Sequence, residues 1–81
     1  MRVSVSFYSY LKDLVGCTGL ELELKQGATL GELFEELKRK FPKLAAMEKS
    51  ILMAVGVDYQ DRAYTLRDKD EVSFFPPVQG G

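Results

Sequence analysis

The chain has 81 residues, with 11 Lys and Arg against 12 Asp and Glu, for a net charge of −1. That length builds one domain around one modest core, and the near-neutral balance offers no field to hold a polyanion, so nucleic-acid partners are disfavoured. The single cysteine, Cys17, excludes an internal disulfide; no apolar run nears the roughly 20 residues that span a bilayer, and a cytoplasmic location without membrane partners is expected.

Val3, Val5 and Phe7 alternate with Arg2, Ser4 and Ser6, the period of two that places apolar residues on one face of a strand over residues 2–8. Tyr10, Leu11, Leu14 and Val15 then have helical spacing, with Gly16 able to cap one or two turns. Leu20, Leu22 and Leu24 alternate with Glu21 and Glu23, and this second strand stops at Lys25-Gln26-Gly27, where glycine permits a turn. Thr29-Leu30-Gly31-Glu32 fits a capping box, in which hydroxyl and carboxylate each satisfy an unpaired backbone amide. In the helix that follows, Leu30, Leu33, Phe34, Leu37 and Phe41 share one stripe. Glu35 with Arg39 and Glu36 with Lys40 are favourable pairs on the outer side, and Pro42 ends the helix. The apolar run at residues 51–55 predicts a buried third strand, and Gly56-Val57-Asp58-Tyr59-Gln60-Asp61 a turn region. Tyr64-Thr65-Leu66 predicts a very short strand. Residues 71–75 predict the last one, with Val72 and Phe74 inward, before Pro76 and Pro77 forbid further ladder bonding.

Strand, strand, helix, strand, short strand, strand is the order of a β-grasp: an α+β domain in which one main helix covers a mixed sheet. The crossover through that helix lets the first and last strands lie parallel at the centre. Residues 1–75 are read as this domain, and residues 76–81 as a flexible tail ending in Gly-Gly.

The chain lacks histidine, a phosphate-binding glycine loop and any Cys/His cluster for a metal, which argues against free-standing catalysis and against a bound cofactor. Glu32, Glu35, Glu36, Asp68, Asp70 and Glu71 read as solvated surface charges, because a catalytic carboxylate needs burial or a like-charged neighbour in a cleft. Cys17 reads as a small residue filling space rather than a reactive thiol. Tyr8 and Phe75 have the parity opposite to the inward sets and are candidates for partner binding, with Tyr59 as a third; exposed aromatics are enriched in interface cores.

The carboxyl end differs in kind. Phe75-Pro76-Pro77-Val78-Gln79-Gly80-Gly81 carries no charge, is stiffened by two prolines and closes on two glycines. At an average glycine usage of ~7%, a closing pair arises by chance roughly once in 200 chains. An end that must enter a narrow active site gains from residues without side chains where the walls come closest, and from prolines that lower the entropy lost on docking. A terminal carboxylate, with a pKa of about 3.3 to 3.7, is an unreactive anion until another protein activates it.

From the first strand, through Asp13-Leu14-Val15-Gly16 and the Thr29 helix, to Asp70-Glu71-Val72-Ser73-Phe74-Phe75-Pro76-Pro77-Val78-Gln79-Gly80-Gly81, the chain resembles the small, sulfur-carrying subunits of molybdopterin synthases among the ubiquitin-like sulfur carriers. The closing block is the specific part. The resemblance implies that an E1-like adenylyltransferase uses ATP to convert the Gly81 carboxylate to an acyl adenylate, and that a persulfide donor turns it into a thiocarboxylate. The tail, with Gly80 behind Gly81 and Pro76, Pro77, Val78 and Gln79 as contacts, would then enter the large synthase subunit. There it would give sulfur to cyclic pyranopterin monophosphate within a heterotetramer whose catalytic side chains belong to the large subunit. The alternatives are a carrier or modifier of another pathway: thiamine synthesis, tRNA thiolation or isopeptide conjugation.

Overall fold

The alternation around Val5 forms strand β1 (Arg2–Phe7) in the computed structural model, which describes residues 1–77. A short helix, α1 (Leu11–Val15), follows and ends on Gly16, whose φ of 84° is the left-handed conformation that favours glycine. Next come β2 (Gly19–Glu23) and the main helix α2 (Leu30–Lys40), then β3 (Leu52–Val55), β4 (Asp58–Tyr59) and β5 (Glu71–Phe75). The sheet order is β2-β1-β5-β3-β4, with β1 and β5 parallel at the centre and the other pairs antiparallel. This is the mixed β-grasp sheet expected from the order of the elements.

The core lies between the sheet and α2. Val3, Val5 and Phe7 meet Val72 and Phe74 from the sheet, and Leu30, Leu33, Phe34 and Leu37 from the helix. Phe74 is held between two rings, stacked on Phe7 at 5.8 Å and edge-on to Phe34 at 6.0 Å. Each such side chain contributes roughly 1.5–3 kcal/mol through burial.

The capping box is reciprocal: the Glu32 amide donates to the Thr29 hydroxyl at 3.2 Å, and the Thr29 amide donates to the Glu32 carboxylate at 3.0 Å. Three local expectations differ. Residues 64–66 form no named strand; Thr65 makes an isolated bridge to Thr29. The segment and the loop before it supply acceptors to the start of α2, the Leu30 amide donating to the Tyr64 carbonyl at 2.8 Å and the Gly31 amide to the Arg62 carbonyl at 3.0 Å. Those amides have no partner within the helix, and this need outweighs the strand pattern. The fourth strand, β4, instead falls at Asp58–Tyr59, inside the expected turn region. Finally, Pro42 ends α2 but opens a 3-10 helix, Pro42–Met47, since proline is tolerated in a first turn.

The outer face of α2 is tied down across elements rather than by the expected pairs four apart. Lys38 contacts Glu35 at 3.0 Å and Glu48 at 2.9 Å, and Arg62 contacts the same two carboxylates at 3.1 Å each. Both cations lie over the Phe34 ring, at 5.9 and 5.7 Å from its centroid. The ring of charges fastens the end of the 3-10 helix and the Arg62 loop to α2.

Candidate functional site

Tyr8 follows directly on β1, and its amide donates to the Phe74 carbonyl at 3.1 Å, prolonging the central pairing by one residue. Ser9, at φ 57°, then turns the chain away into α1. Phe75 is the last residue of β5, and its neighbours Val72 and Phe74 point into the core, so Phe75 and Tyr8 project from the opposite face. Their rings stack with centroids 4.8 Å apart and planes 14° from parallel. Tyr59, on β4, stands edge-on to Phe75 at 6.2 Å.

The three predicted aromatics thus form one contiguous surface from the residue after β1, the end of β5 and β4, and Tyr8 and Tyr59 remain 45% and 68% exposed. Leu52 lies opposite Phe75 in the β3–β5 register and belongs to the same face. Sequence reasoning missed it, because the unbroken apolar run from Ile51 to Val55 hides the parity that alternation reveals. Pro76 and Pro77, both half-buried, leave the sheet beside this cluster. Val78, Gln79, Gly80 and Gly81 lie outside the described residues.

Among the described residues this surface carries no acid, base or nucleophile beyond two phenols, so its chemistry is that of binding. The perturbed groups lie elsewhere. The Thr29 amide holds the Glu32 carboxyl below its ordinary value, and the ammonium of Lys38 lowers that of Glu35. The carboxylates of Glu48 and Glu35 raise Lys38 in turn, and Glu23 raises Arg2. All are hydrogen-bonded surface pairs. Among the described residues no group of three or more His, Cys, Asp or Glu is placed to hold a metal ion, and no helix is long and apolar enough to cross a membrane. Cys17 is half-buried and packs against the core, at a shallow depression that it shares with Lys12 and Asp13.

Comparison with known proteins adds to this geometry. The ThiS family model matches residues 5–81. The molybdopterin synthase sulfur carrier subunit of Haemophilus influenzae is 33% identical over 81 residues, a match covering 98% of this chain and 99% of that protein. A Pyrococcus furiosus structure, proposed to be subunit 1 of a molybdopterin converting factor, superposes with a TM-score of 0.88 at 30% identity. The match covers 96% of this chain and 99% of that one. In the complex of subunits 1 and 2 of the molybdopterin-converting factor from Helicobacter pylori, a chain 23% identical to this one shares the fold with a TM-score of 0.71. Both chains are covered completely.

Proposed function

The chain belongs to the ThiS family, and from that premise we propose that it is the sulfur carrier of a molybdopterin synthase. Gly81 is the working residue, and Gly80 keeps the approach to it free of side chains. The carboxylate of Gly81 is a poor acyl donor because its leaving group would be an oxide; adenylation replaces that with AMP, and the ATP is consumed on an E1-like partner. A persulfide donor then displaces AMP to form an acyl disulfide, and a thiol reductant cleaves its S–S bond to leave the thiocarboxylate. The large synthase subunit receives the tail and uses that sulfur on cyclic pyranopterin monophosphate, two deliveries completing the dithiolene. The carrier itself binds no cofactor and works in the cytoplasm.

The observation that carries this reading is the continuity of the Tyr8–Phe75–Tyr59 surface with the point where Pro76 and Pro77 leave the sheet. A partner seated on the aromatics is adjacent to the start of the tail, and the six residues from Pro76 to Gly81 then reach at most about 20 Å into it. Pro76 and Pro77 restrict the angle of entry, leaving Val78 and Gln79 as contacts with the walls. The H. influenzae relative, a sulfur carrier subunit by name, supports the same role.

Intact-mass measurement on protein from its native cells, with co-purifying proteins identified, tests the proposal. A thiocarboxylate raises the mass by the difference between sulfur and oxygen, and the large subunit co-purifies. Isopeptide adducts without a thiocarboxylate would instead make the chain a protein modifier, and unmodified protein alone would make it an inert module.

A further inference from the structure

Away from the aromatic cluster, the outward sheet face continues as two further rows. Ser6 lies opposite Gly19 on β2 and Ser73 on β5, and Ser73 lies opposite Ala54 on β3, so one row across four strands carries only small residues. In the next row Ser4 sits between Glu21 and Glu71. A shallow depression of ≈ 590 Å³ opens there, with Ser4 and the carboxylates of Glu21, Glu23, Asp68 and Glu71 in its lining.

The cations at this depression are mostly engaged. Arg2 pairs with Glu23 at 2.9 Å and reaches Glu21 only at 3.9 Å, and the Met1 ammonium donates to the Leu24 carbonyl at 2.7 Å. Lys69 also contributes to the lining. Asp68 accepts from the Arg2 amide at 2.8 Å, whereas Glu71 forms no ion pair among the described residues. Two under-used carboxylates therefore flank Ser4 on neighbouring strands, each about 4.8 Å from it across the sheet. A guanidinium or ammonium entering over Ser4 would meet both.

Resting on the carrier reading above, we infer that the protein partner covering the aromatic cluster also crosses the small row and sets an arginine or lysine side chain over Ser4, between Glu21 and Glu71. Continuity and charge both favour that occupant. The small row leaves no obstacle between the aromatic wall and the carboxylate row, and a polyanion would be repelled by the latter. A second copy of the chain would set the same carboxylates against this row, and of the two side-chain cations at the depression, Arg2 and Lys69, Arg2 is already bound to Glu23. From Ser4 to Tyr8 is four residues of strand, about 13 Å, which fixes the spacing between the partner's basic side chain and its apolar contacts.

The test titrates the full chain with the large synthase subunit of the same organism, at low and high salt. Exposed charge pairs are individually weak, so the paired change Glu21→Lys with Glu71→Lys is used; it should weaken binding about tenfold at low salt, mainly through a slower on-rate. The paired Glu→Gln change, which keeps the shape, should cost about threefold. Both losses should shrink at high salt as screening shortens to a few ångströms. Affinities within twofold of the wild type for both folded double variants would overturn the inference while leaving the carrier reading intact. A wild-type chain that does not bind the large subunit would remove both.

Discussion

The Tyr8 and Phe75 rings, 4.8 Å apart and nearly parallel, join the end of the first strand's pairing to the last residue of the fifth. The same contact does two things: it packs the end of the sheet, and it presents a flat aromatic surface that a partner need not order before binding. Tyr8→Ala or Phe75→Ala should each weaken large-subunit binding tenfold or more, as expected for aromatic anchors. The stack itself should account for about 0.5–1.5 kcal/mol of fold stability. Because each ring leans on the other, the double variant should lose less affinity than the two single losses added together. Calorimetric titration of the four proteins checks this, and strictly additive losses would mean that the rings act as independent contacts.

Gly19 is required by packing rather than by turn geometry. A Cβ built there would lie 2.5 Å from the Val5 carbonyl oxygen, a backbone atom that cannot swing aside. Gly19→Ala should force β2 away from β1 and destabilise the domain by about 1–3 kcal/mol. Urea unfolding should show a lower midpoint with an unchanged slope.

Thr29→Ala removes the side-chain half of the capping box and should cost about 1 kcal/mol, lowering Tm by roughly 4–8 °C in a domain this small. Glu32 adds a pH dependence. Its carboxyl is held below the ordinary value of 4.5, chiefly by the Thr29 amide, so the folded chain binds that proton less tightly than the unfolded one. The resulting stabilisation is present above pH 4.5 and is lost as pH falls through the lower folded value. Glu32→Ala should therefore melt below the wild type at neutral pH, with the gap closing under more acidic conditions. A gap that stays constant with pH would show that the carboxylate's charge is not what stabilises the cap.

Cys17 packs against the core as a small residue, and the proposed cycle gives its sulfur no role. Cys17→Ser should accumulate the thiocarboxylate like the wild type when supplied with activating enzyme and sulfur donor. Loss of loading in a folded variant would place a sulfur-transfer step on the thiol.

How far the sequence revealed this molecule depended on whether a residue's role was local. The Thr29 cap, the α2 stripe and the inward parity of Val3, Val5, Phe7, Val72 and Phe74 are set by neighbours within a few positions, and all were legible. Leu52 was not, since the run around it is apolar on both faces. Alternation reads residues 64–66 as a short strand, but their partners are the Leu30 amide and the Ala28 carbonyl around the start of α2, which alternation cannot reveal. Tyr59 was legible only as an aromatic in a turn region; its contact with Phe75 needs β4 at the sheet edge. The small row of Gly19, Ser6, Ser73 and Ala54 likewise exists only once four strands are in register.

The proposed role of Gly81 depends on reach. In the proposed cycle the aromatic cluster fixes where the tail starts, so the position of the acyl carbon in the partner would depend on the number of residues after Phe75. Deleting Gly81 withdraws the carboxylate by about 3.3–3.6 Å, the length of one extended residue, and adding a residue after it advances the acyl carbon by the same amount. A misplacement of even ~1 Å can cost on the order of a hundredfold in rate. Either change should abolish sulfur loading and transfer while leaving the fold intact, because among the described residues every one in the buried core lies before Pro76. The assay combines activating enzyme, sulfur donor and large subunit, with circular dichroism to check the folding of each variant. Near-normal transfer by either folded variant would mean that the Gly81 carboxylate is not the working group.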